Sequence, residues 1–176
     1  MKSMPKQEST KFKVGDYVVH KNEGVCVITS VENKDFGAGI HEYYLMHPFF
    51  KNVRTSSTIM IPVENCTQIR KHISRADAEK LIRELSKTED VWISESKKRK
   101  ENFAKIINTG DLHSLCGLIR TIHFKKNEYA DLKKSIPLTD SATAALAERL
   151  AFEELAIALG IKPENVGDYI SSKLGE

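Results

Sequence analysis

The sequence predicts an α+β protein in which a small antiparallel β unit is followed by an all-helical unit. Short runs of β-branched and aromatic residues, separated by turn residues, fill residues 12–71. Beyond residue 72, apolar residues recur at spacings of three and four, the period of an amphipathic helix. The chain has 176 residues, of which 40% are hydrophobic, so it can form a core in one domain or in two small ones. We expect two domains, residues 12–71 and 72–176, after a flexible polar tail at residues 1–11.

The β unit is predicted to contain four or five short strands. Turns are expected at Lys21–Gly24 and at Lys34–Gly39, where glycines permit positive φ angles. Because the strands are short and the unit spans only about sixty residues, we expect a small, strongly bent antiparallel sheet or an open barrel. The predicted strands are Tyr17–His20, Val25–Val31 and His41–His47, with closing strands at Thr58–Ile61 and Thr67–Ile69.

The helical unit is divided by capping residues and breakers. Serine, threonine and aspartate favour the first position of a helix, whereas glycine favours the position after its end. These signals predict helices from Ser74 to Ser86, from Ser94 or Ser96 to Gly110, from Asp111 onward, from Thr139 or Asp140 (after the break at Pro137) to Leu159 before Gly160, and from Pro163 to about Ser172.

The net charge of +3 is unevenly distributed along the chain. Residues 71–134 carry 15 Lys and Arg against 10 Asp and Glu, whereas residues 135–176 carry 3 against 7. The basic excess centres on Lys97–Lys100, where four cations stand in a row. Such a run is typical either of a solvated helix face or of a polyanion-binding surface, since clustered cations raise phosphate affinity through counterion release. The acidic final segment is interpreted as a structural support that does not touch nucleic acid.

Composition argues against membrane and secreted classes of protein. No apolar run approaches the roughly 20 residues of a membrane helix. The start, MKSMPKQESTKF, lacks the apolar stretch of a secretory signal. Three widely separated cysteines, Cys26, Cys66 and Cys116, indicate reduced thiols and not a disulfide framework. We therefore expect a cytoplasmic protein without membrane association.

The sequence carries no recognised signature of catalysis. A Walker loop and the motifs GxGxxG, HExxH and GxSxG are absent. His41 and His47 are the nearest pair of histidines, but no cysteine or carboxylate cluster completes a ligand set around them. Nothing marks Glu153–Glu154 as desolvated, and Cys116 falls on the inner side of a helical stripe, where a thiol packs as a core residue. We expect no enzymatic activity, no cofactor and no metal site.

Trp92 is the only tryptophan, and it lies between two predicted helices just before the basic run Lys97–Lys100. One interpretation is a core anchor that covers the junction of the helices. The other is a nucleic-acid wedge, in which cations hold phosphates and a bulky side chain presses into a base step. Such a wedge would discriminate by DNA shape and deformability, not by base sequence.

Three segments resemble a known family. FKVGDYVVH at Phe12–His20, followed by Gly24, is similar to the opening of the CarD/CdnL family of bacterial transcription regulators. The segment from Trp92 through Lys97–Lys100 and Asn102 to Gly110-Asp111 resembles that family's C-terminal motif, in which a tryptophan precedes basic residues, an asparagine and a Gly-Asp helix break. The Ala- and Leu-rich helix after Leu138-Thr139 matches its last long helix, so the resemblance covers about residues 12–160 in the right order.

The resemblance implies a Tudor-like, SH3-like β-barrel domain that binds the β subunit of RNA polymerase. It also implies a helical bundle that contacts promoter DNA at the upstream edge of the transcription bubble. In the family, the tryptophan wedges into the minor groove there and favours the open complex, and Trp92 matches that residue. The candidate phosphate contacts are Lys97, Lys98, Arg99, Lys100 and, further along the same helix, Lys105.

The sequence departs from the family pattern at two places. The spacing from Trp92 to Asn102 is about three residues longer than in the best-known members, which leaves open which lysine faces DNA. Polymerase-contacting positions that are arginine in some members fall at Lys34, which lacks the planar fork, and at Met60, which carries no charge. We expect an interface that is weaker or differently centred, with Lys34, Tyr43 and Met60 as candidates, and at least one of Tyr43 and Tyr44 packed within the sheet.

Three classes of function stay open at this point. The first is a monomeric, non-enzymatic initiation regulator that attaches to RNA polymerase and to promoter DNA. The second is a protein–protein adaptor without DNA contact, in which Trp92 would be buried and Lys97–Lys100 would form a solvated face. The third is an enzyme of unrecognised type, which would need a pocket lined by ionisable groups with shifted pKa values.

Overall fold

A computed structural model describes residues 12–51 and 56–175. It has an α+β structure in which an open, five-stranded antiparallel sheet precedes the helices, so the predicted fold class is confirmed at this level. The predicted tail at residues 1–11 and part of the predicted loop at residues 48–55 lie outside the described residues. The division into two domains at residue 71 stays a prediction.

The strands are joined as an antiparallel sheet in the order β4–β3–β2–β1–β5, with β4 and β5 at its edges. Both strands of the β2–β3 hairpin are longer than predicted, because their pairing continues until Asp35 lies opposite Ile40. Pro62 ends β4, and an edge strand is where a residue without an N–H group is tolerated. The bounds are β1 Tyr17–His20, β2 Gly24–Asp35, β3 Ile40–Pro48, β4 Ile59–Pro62 and β5 Ile69–Lys71.

One face of the sheet covers a small apolar core. Tyr44 belongs to this face; it is 2% exposed, and its hydroxyl oxygen accepts a hydrogen bond from Phe12 N at 2.9 Å. The expectation that at least one of the two adjacent tyrosines is packed is therefore confirmed. The buried residues of this cluster are Phe12, Val18, Cys26, Ile28, Tyr44, Met46, Ile61, Val63 and Ile69.

Five α-helices follow, and most of their predicted boundaries are confirmed. Ser74 Oγ accepts a hydrogen bond from Asp77 N at 3.1 Å, and Asp111 Oδ2 accepts one from Ser114 N at 2.8 Å, so both residues act as N-caps. Gly110 ends the second helix in the left-handed conformation, at φ 63°. The helices are α1 Arg75–Glu84, α2 Ser96–Thr109, α3 Leu112–Asp131, α4 Leu138–Leu159 and α5 Val166–Leu174, with 3₁₀ turns at Leu85–Lys87 and Pro163–Asn165.

The predicted cap of α4 is wrong. The helix begins at Leu138, directly after Pro137, and is not capped by Thr139 or Asp140. Asp140 lies within the first turn, is 1% exposed, and accepts hydrogen bonds from Arg99 of α2. Because this carboxylate serves a distant partner, the helix start is instead set by Pro137, whose ring holds φ at −53°.

All five helices contribute to a second apolar core. Its most completely buried large side chains are those of Phe103 on α2, Leu118 and Ile122 on α3, Leu155 on α4, and Ile82 on α1. Helix α4 is buried along most of its C-terminal half. It is therefore the central support of the helical unit, in agreement with the structural role expected for the acidic segment.

The β1–β2 turn packs against α4 through polar contacts. Glu153 Oε2 accepts a hydrogen bond from Val25 N at 3.1 Å, and Arg149 Nη1 donates to the carbonyl of Glu23 at 3.2 Å. Gly24 lies between these contacts with φ +82°, and a Cβ atom there would collide with the Glu153 carboxylate. The turn can approach the helix this closely only with glycine at that position.

A second carboxylate fixes β5 to the same helix. Glu154 Oε1 and Oε2 accept hydrogen bonds from Arg70 Nη1 and Nη2 at 2.7 and 2.8 Å, and Oε1 also accepts from Ile73 N at 2.9 Å. Arg70 Nη2 further donates to the carbonyl of Gly110 at 2.9 Å. We call Arg70, Glu153 and Glu154 the sheet–helix junction.

The interpretation of Glu153–Glu154 as ordinary solvated helix charges is wrong. Glu153 is 5% and Glu154 is 1% exposed, because the sheet covers this side of α4. Burial raises the pKa of Glu153 above its usual range, although the hydrogen bond from Val25 N and the charge of Arg149 act in the opposite direction. The two carboxylates therefore serve to hold the sheet against the helices.

Candidate functional site

Trp92 lies in the loop between the 3₁₀ turn at Leu85–Lys87 and α2, with a half-buried side chain. Its ring packs against the helical core, 6.2 Å from the ring of Phe103 and 6.3 Å from that of Tyr129, measured between centroids. The indole is therefore neither sealed in the interior nor fully exposed. Part of it rests on two aromatic rings, and part of it reaches the surface.

The backbone around Trp92 is held on both sides of the indole. Trp92 N donates a hydrogen bond to Asp90 Oδ1 at 2.8 Å, and Val91 N donates one to Thr121 Oγ1 on α3 at 3.2 Å. The carbonyls of Ile93 and Ser94 accept hydrogen bonds from a single guanidinium group, that of Arg99. The loop is thus attached to both α2 and α3.

Arg99 was predicted as a phosphate contact, and the structure contradicts this role. The residue is 4% exposed, and its guanidinium makes two hydrogen bonds to Asp140 Oδ2, at 3.1 Å from Nε and 2.9 Å from Nη2. Its remaining bonds run from Nη1 to the carbonyls of Ile93 at 2.8 Å and Ser94 at 3.1 Å. A buried guanidinium occupied in this way cannot reach a phosphate. We call Arg99, Asp140 and these two carbonyls the indole seat, because the Arg99 carbon Cζ lies 4.3 Å from the centroid of the Trp92 ring.

The other predicted phosphate contacts lie on the solvent side of α2. Lys97, Lys98, Lys100 and Lys105 are all exposed, and we call them the basic face. Lys98 Nζ is paired with Glu95 Oε2 at 2.7 Å, but both side chains are more than half exposed, so the pair is readily exchanged for another partner. The basic face begins in the first turn of α2, at Lys97, directly after the loop that carries Trp92.

Sequence reasoning missed two residues of α3 that lie beside the indole. Tyr129 packs against the ring, and Lys125 Nζ lies 5.8 Å from its centroid. A hydrogen bond from Lys125 Nζ to Glu128 raises the pKa of the lysine, which keeps it cationic. No sequence motif links these residues to Trp92, because their proximity depends on how α3 packs against α2.

The three candidate polymerase contacts, Lys34, Tyr43 and Met60, share one face of the sheet. Lys34 lies opposite His41, and Met60 lies opposite Leu45. His41, Tyr43 and Leu45 alternate along β3 and therefore point to the same side. This side is opposite to the face that packs Tyr44. These three residues therefore lie on one surface of the sheet, and Met60 is on its edge strand, β4.

The surface around these three residues is partly polar and partly apolar. Lys34 Nζ is paired with Glu32 Oε2 at 2.6 Å, with both side chains about two-fifths exposed. The ring of Tyr43 packs edge-on against Phe36 at 5.4 Å, and Phe36 is itself 65% exposed. Met60 is 41% exposed.

The sequence that forms this sheet can be compared with known protein families. Residues 12–73 match the family described as the CarD-like/TRCF RID domain. This part of the chain, which contains the whole sheet, is therefore similar to that domain. The resemblance drawn from FKVGDYVVH is therefore confirmed for this part of the chain, while the motif after Trp92 lies outside the match. No curated protein matches the chain.

The RID domain indicates a transcription factor that interacts with RNA polymerase. Lys34, Tyr43 and Met60 all lie within the matched residues, and so does Arg70, which connects the domain to α4. The matched sheet is therefore joined by direct hydrogen bonds to α4, the helix whose Asp140 accepts hydrogen bonds from Arg99.

Two of the thiols are poor candidates for chemistry. Burial raises the pKa of Cys26 and of Cys116 to about 12, so both stay protonated at neutral pH. Cys66 is half-buried. Within residues 12–51 and 56–175, no three His, Cys, Asp or Glu side chains are grouped in a way that could hold a metal ion. None of the helices in this part of the chain is both long and apolar enough to cross a membrane.

Proposed function

We propose that the protein is a transcription initiation regulator that binds the β subunit of RNA polymerase through a Tudor-like RID sheet. The helical unit contacts promoter DNA at the upstream edge of the bubble and stabilises the open complex. The protein acts as a cytoplasmic, non-enzymatic monomer and reads the form of the DNA, not its sequence. The observation that carries this proposal is a partly exposed indole in the loop just before a helix whose outer face is basic. The helical unit that contains both is joined by hydrogen bonds to the sheet that matches the RID domain.

The RID sheet supplies the attachment to polymerase. Its exposed face combines a cation, Lys34, with the apolar surface of Tyr43 and Met60, and β4 is an edge strand whose backbone can pair with a strand of a partner. Because Met60 has no charge and Lys34 lacks a planar fork, apolar contact and strand pairing carry more of the affinity here than bidentate ion pairs.

The helical unit supplies the contact with DNA. The basic face binds phosphates without reading bases, because Lys side chains interact with the backbone as point charges. Trp92 then presses its exposed edge into a base step of the minor groove. Unstacking a step costs a few kcal/mol in intact duplex, and less at the edge of a bubble, where the strands are already distorted. Trp92 therefore favours the melted promoter over the closed one.

Attachment to polymerase makes a weak DNA contact sufficient. Once the sheet is bound, Trp92 meets the promoter at the high effective concentration of an intramolecular contact. A preference of about 1.4 kcal/mol for the open complex then shifts the equilibrium tenfold. The sheet–helix junction supports this scheme because it holds the sheet and α4 together by the contacts of Glu153 and Glu154.

A protein–protein adaptor without DNA contact is the second candidate. It is favoured by one observation, the packing of Trp92 on Phe103 and Tyr129, which a core anchor would also show. Under this alternative the basic face is an ordinary solvated surface. The two functions differ in what happens to promoter opening when the indole is removed.

The polymerase contact is tested with full-length charge-reversal variants. Lys34→Glu is expected to weaken binding to purified RNA polymerase core, measured by surface plasmon resonance, because it places an acidic group on the exposed face of the sheet. Lys71→Glu is the matched control, since it reverses an exposed lysine on β5, the opposite edge. Equal binding by both variants would show that this face does not contact polymerase.

The wedge is tested in the same full-length protein. Trp92→Ala is expected to leave polymerase binding unchanged and to shorten the lifetime of the open complex about tenfold, the factor that corresponds to about 1.4 kcal/mol. The lifetime is measured by dissociation after a competitor challenge. Phe124→Ala is the matched control, because it removes an aromatic side chain that is 47% exposed elsewhere on the helical unit. An unchanged lifetime in a folded Trp92→Ala protein would favour the adaptor.

A further inference from the structure

We infer that Arg99 is a positioning residue that holds the Trp92 indole in the orientation in which it inserts into a base step of the promoter. This inference rests on the proposed function for its consequence at DNA, but the contact itself is a property of the free protein. Arg99 stands in a row of four cations, and it is the one whose side chain turns inward. Its position on α2 explains this, because Phe103 follows four residues later on the buried side of the helix.

The guanidinium connects three parts of the helical unit. Nε and Nη2 donate to Asp140 Oδ2 at the start of α4, while Nη1 donates to the carbonyls of Ile93 and Ser94 in the loop that carries the indole. A planar fork with donors in fixed directions can make this set of bonds, whereas the single ammonium group of lysine cannot reach all of it. Arg99 thus fixes the loop against α2 and α4 at once.

The same guanidinium lies on the ring that it positions. Its carbon Cζ is 4.3 Å from the indole centroid, within the range of a cation–π contact, and burial of the guanidinium strengthens that contact. Since Arg99 occupies one side of the ring and the rings of Phe103 and Tyr129 lie 6.2 and 6.3 Å away, the indole is supported from several directions. A wedge that is already held in one orientation loses little conformational freedom when it meets DNA.

The indole seat predicts how the mobility of Trp92 changes in the free protein when Arg99 is replaced. In Arg99→Met the indole loses its stacked cation and the loop loses two carbonyl contacts, so Trp92 becomes more mobile. Trp92 is the only tryptophan, and its fluorescence therefore reports this site alone. We expect a red-shifted emission, a lower anisotropy and a larger acrylamide quenching constant. Lys98→Met removes one cation from the next position of the same helix and is expected to leave all three unchanged.

The consequence at the promoter is tested by a double-mutant cycle. Arg99→Met is expected to shorten the open-complex lifetime about fivefold in the wild-type background, the effect of losing a cation–π contact of moderate strength. It is expected to have no further effect in a Trp92→Ala background, because Arg99 acts through the indole. Equal losses in both backgrounds would overturn the inference and would indicate an independent role for Arg99.

Arg99→Lys keeps the proposal testable if Arg99→Met does not fold. This variant preserves the charge and most of the length, but not the fork. We expect its fluorescence to shift in the same direction as that of Arg99→Met. Fluorescence identical to that of the wild-type protein would overturn the inference, since the charge alone would then suffice. If Trp92→Ala itself leaves the lifetime unchanged, the proposed function fails, while the fluorescence of the Arg99 variants still decides whether the seat exists.

Discussion

Arginine–carboxylate pairs with a buried carboxylate connect parts of this molecule at the indole seat and at the sheet–helix junction, and the exposures of their arginines differ. In the pair at the indole seat, the Arg99 side chain is 5% and that of Asp140 is 1% exposed. In the pair at the sheet–helix junction, Glu154 is equally buried, at 1%, but the Arg70 side chain is 42% exposed. Burying a charge requires a partner to offset its desolvation. At the indole seat, both charges are buried, and each needs the other to offset its desolvation. At the junction, only the buried carboxylate of Glu154 needs its partner, because Arg70 is still partly hydrated.

The two carboxylates also differ in how completely they are hydrogen-bonded. Both oxygens of Glu154 accept bonds, from Arg70 and from Ile73 N. Asp140 receives both of its bonds on Oδ2, and its Oδ1 has no hydrogen-bond partner in the described part of the chain. A fully satisfied network rigidifies a structure, and a partly satisfied one costs stability. The junction is therefore built for stability, while the seat places Arg99 under the indole at some energetic cost.

Among the variants of the junction, the largest expected effect comes from removing its arginine. Arg70→Met leaves Glu154 buried with Ile73 N as its donor, and we expect the free energy of unfolding to fall by about 3 kcal/mol, at the lower end for a broken buried pair because Arg70 is partly exposed. Glu154→Met is expected to cost only about 1 kcal/mol, since Arg70 can turn to water and the methionine packs in the vacated space. Both values are measured by urea denaturation.

The unequal losses expected for Arg70→Met and Glu154→Met distinguish the junction from an ordinary ion pair. Arg83→Met, which removes an exposed arginine from α1, is the control and is expected to change stability by less than about 0.5 kcal/mol. Equal losses for Arg70→Met and Glu154→Met would contradict the comparison, because they would mean that neither partner depends more strongly on the other.

A smaller effect is expected from pH, through the turn that packs against α4. Burial lowers the pKa of His20 from its usual 6.5, and His20 Nδ1 accepts hydrogen bonds from Asn22 N at 3.3 Å and Glu23 N at 3.2 Å. A neutral ring is needed for both bonds. The unfolded chain therefore takes up a proton before the folded one, so stability is complete above pH 6.5 and falls as the pH drops through the lowered pKa. We expect a loss of about 1 kcal/mol, the size of a net hydrogen-bond contribution.

His20→Asn isolates this contribution. Its side-chain oxygen can accept from the same two N–H groups without titrating, so the loss between about pH 7.5 and pH 5.5 should shrink. Glu153, whose raised pKa stabilises the folded state as the pH falls, is present in both proteins and cancels in the difference. Parallel pH profiles for the two proteins would show that His20 does not hold the turn.

The fold was largely predictable from the sequence because its signals are local. Ser74 and Asp111 cap helices through residues three positions away, and Gly110 ends a helix through its own conformation. The cap of α4 was predicted wrongly for a nonlocal reason. Asp140 has the right chemistry for a cap, but its carboxylate is used by Arg99, 41 positions earlier in the chain.

The candidate site was predictable only in part. Trp92 and the lysines of the basic face were predicted as site residues because they are close in sequence and resemble a known motif. Arg99 was misassigned because Lys97–Lys100 was interpreted as a linear run, although its spacing of four from Phe103 places it on the buried side. Glu154 and Arg70 are 84 positions apart, and Lys125 and Tyr129 belong to another helix, so no local pattern could reveal these contacts.

The smallest expected effect is on the reactivity of the thiols in the folded protein, which reports whether the junction stays closed. In the folded protein we expect Cys66 to react first with a thiol reagent, because it is half-buried, whereas Cys26 and Cys116 are 0% and 3% exposed and have pKa values raised to about 12. Cys116 lies close enough to Glu154 for that charge to contribute to its raised pKa. Because loss of Arg70 weakens the packing of the sheet on α4 beside Cys116, the labelling rate of this thiol should increase in Arg70→Met and stay unchanged in Arg83→Met. All three thiols should react alike in denaturant. Rapid labelling of Cys116 in the wild-type protein would mean that the helical core opens beside Glu154, and the junction would then not be the rigid connection on which two-point attachment depends.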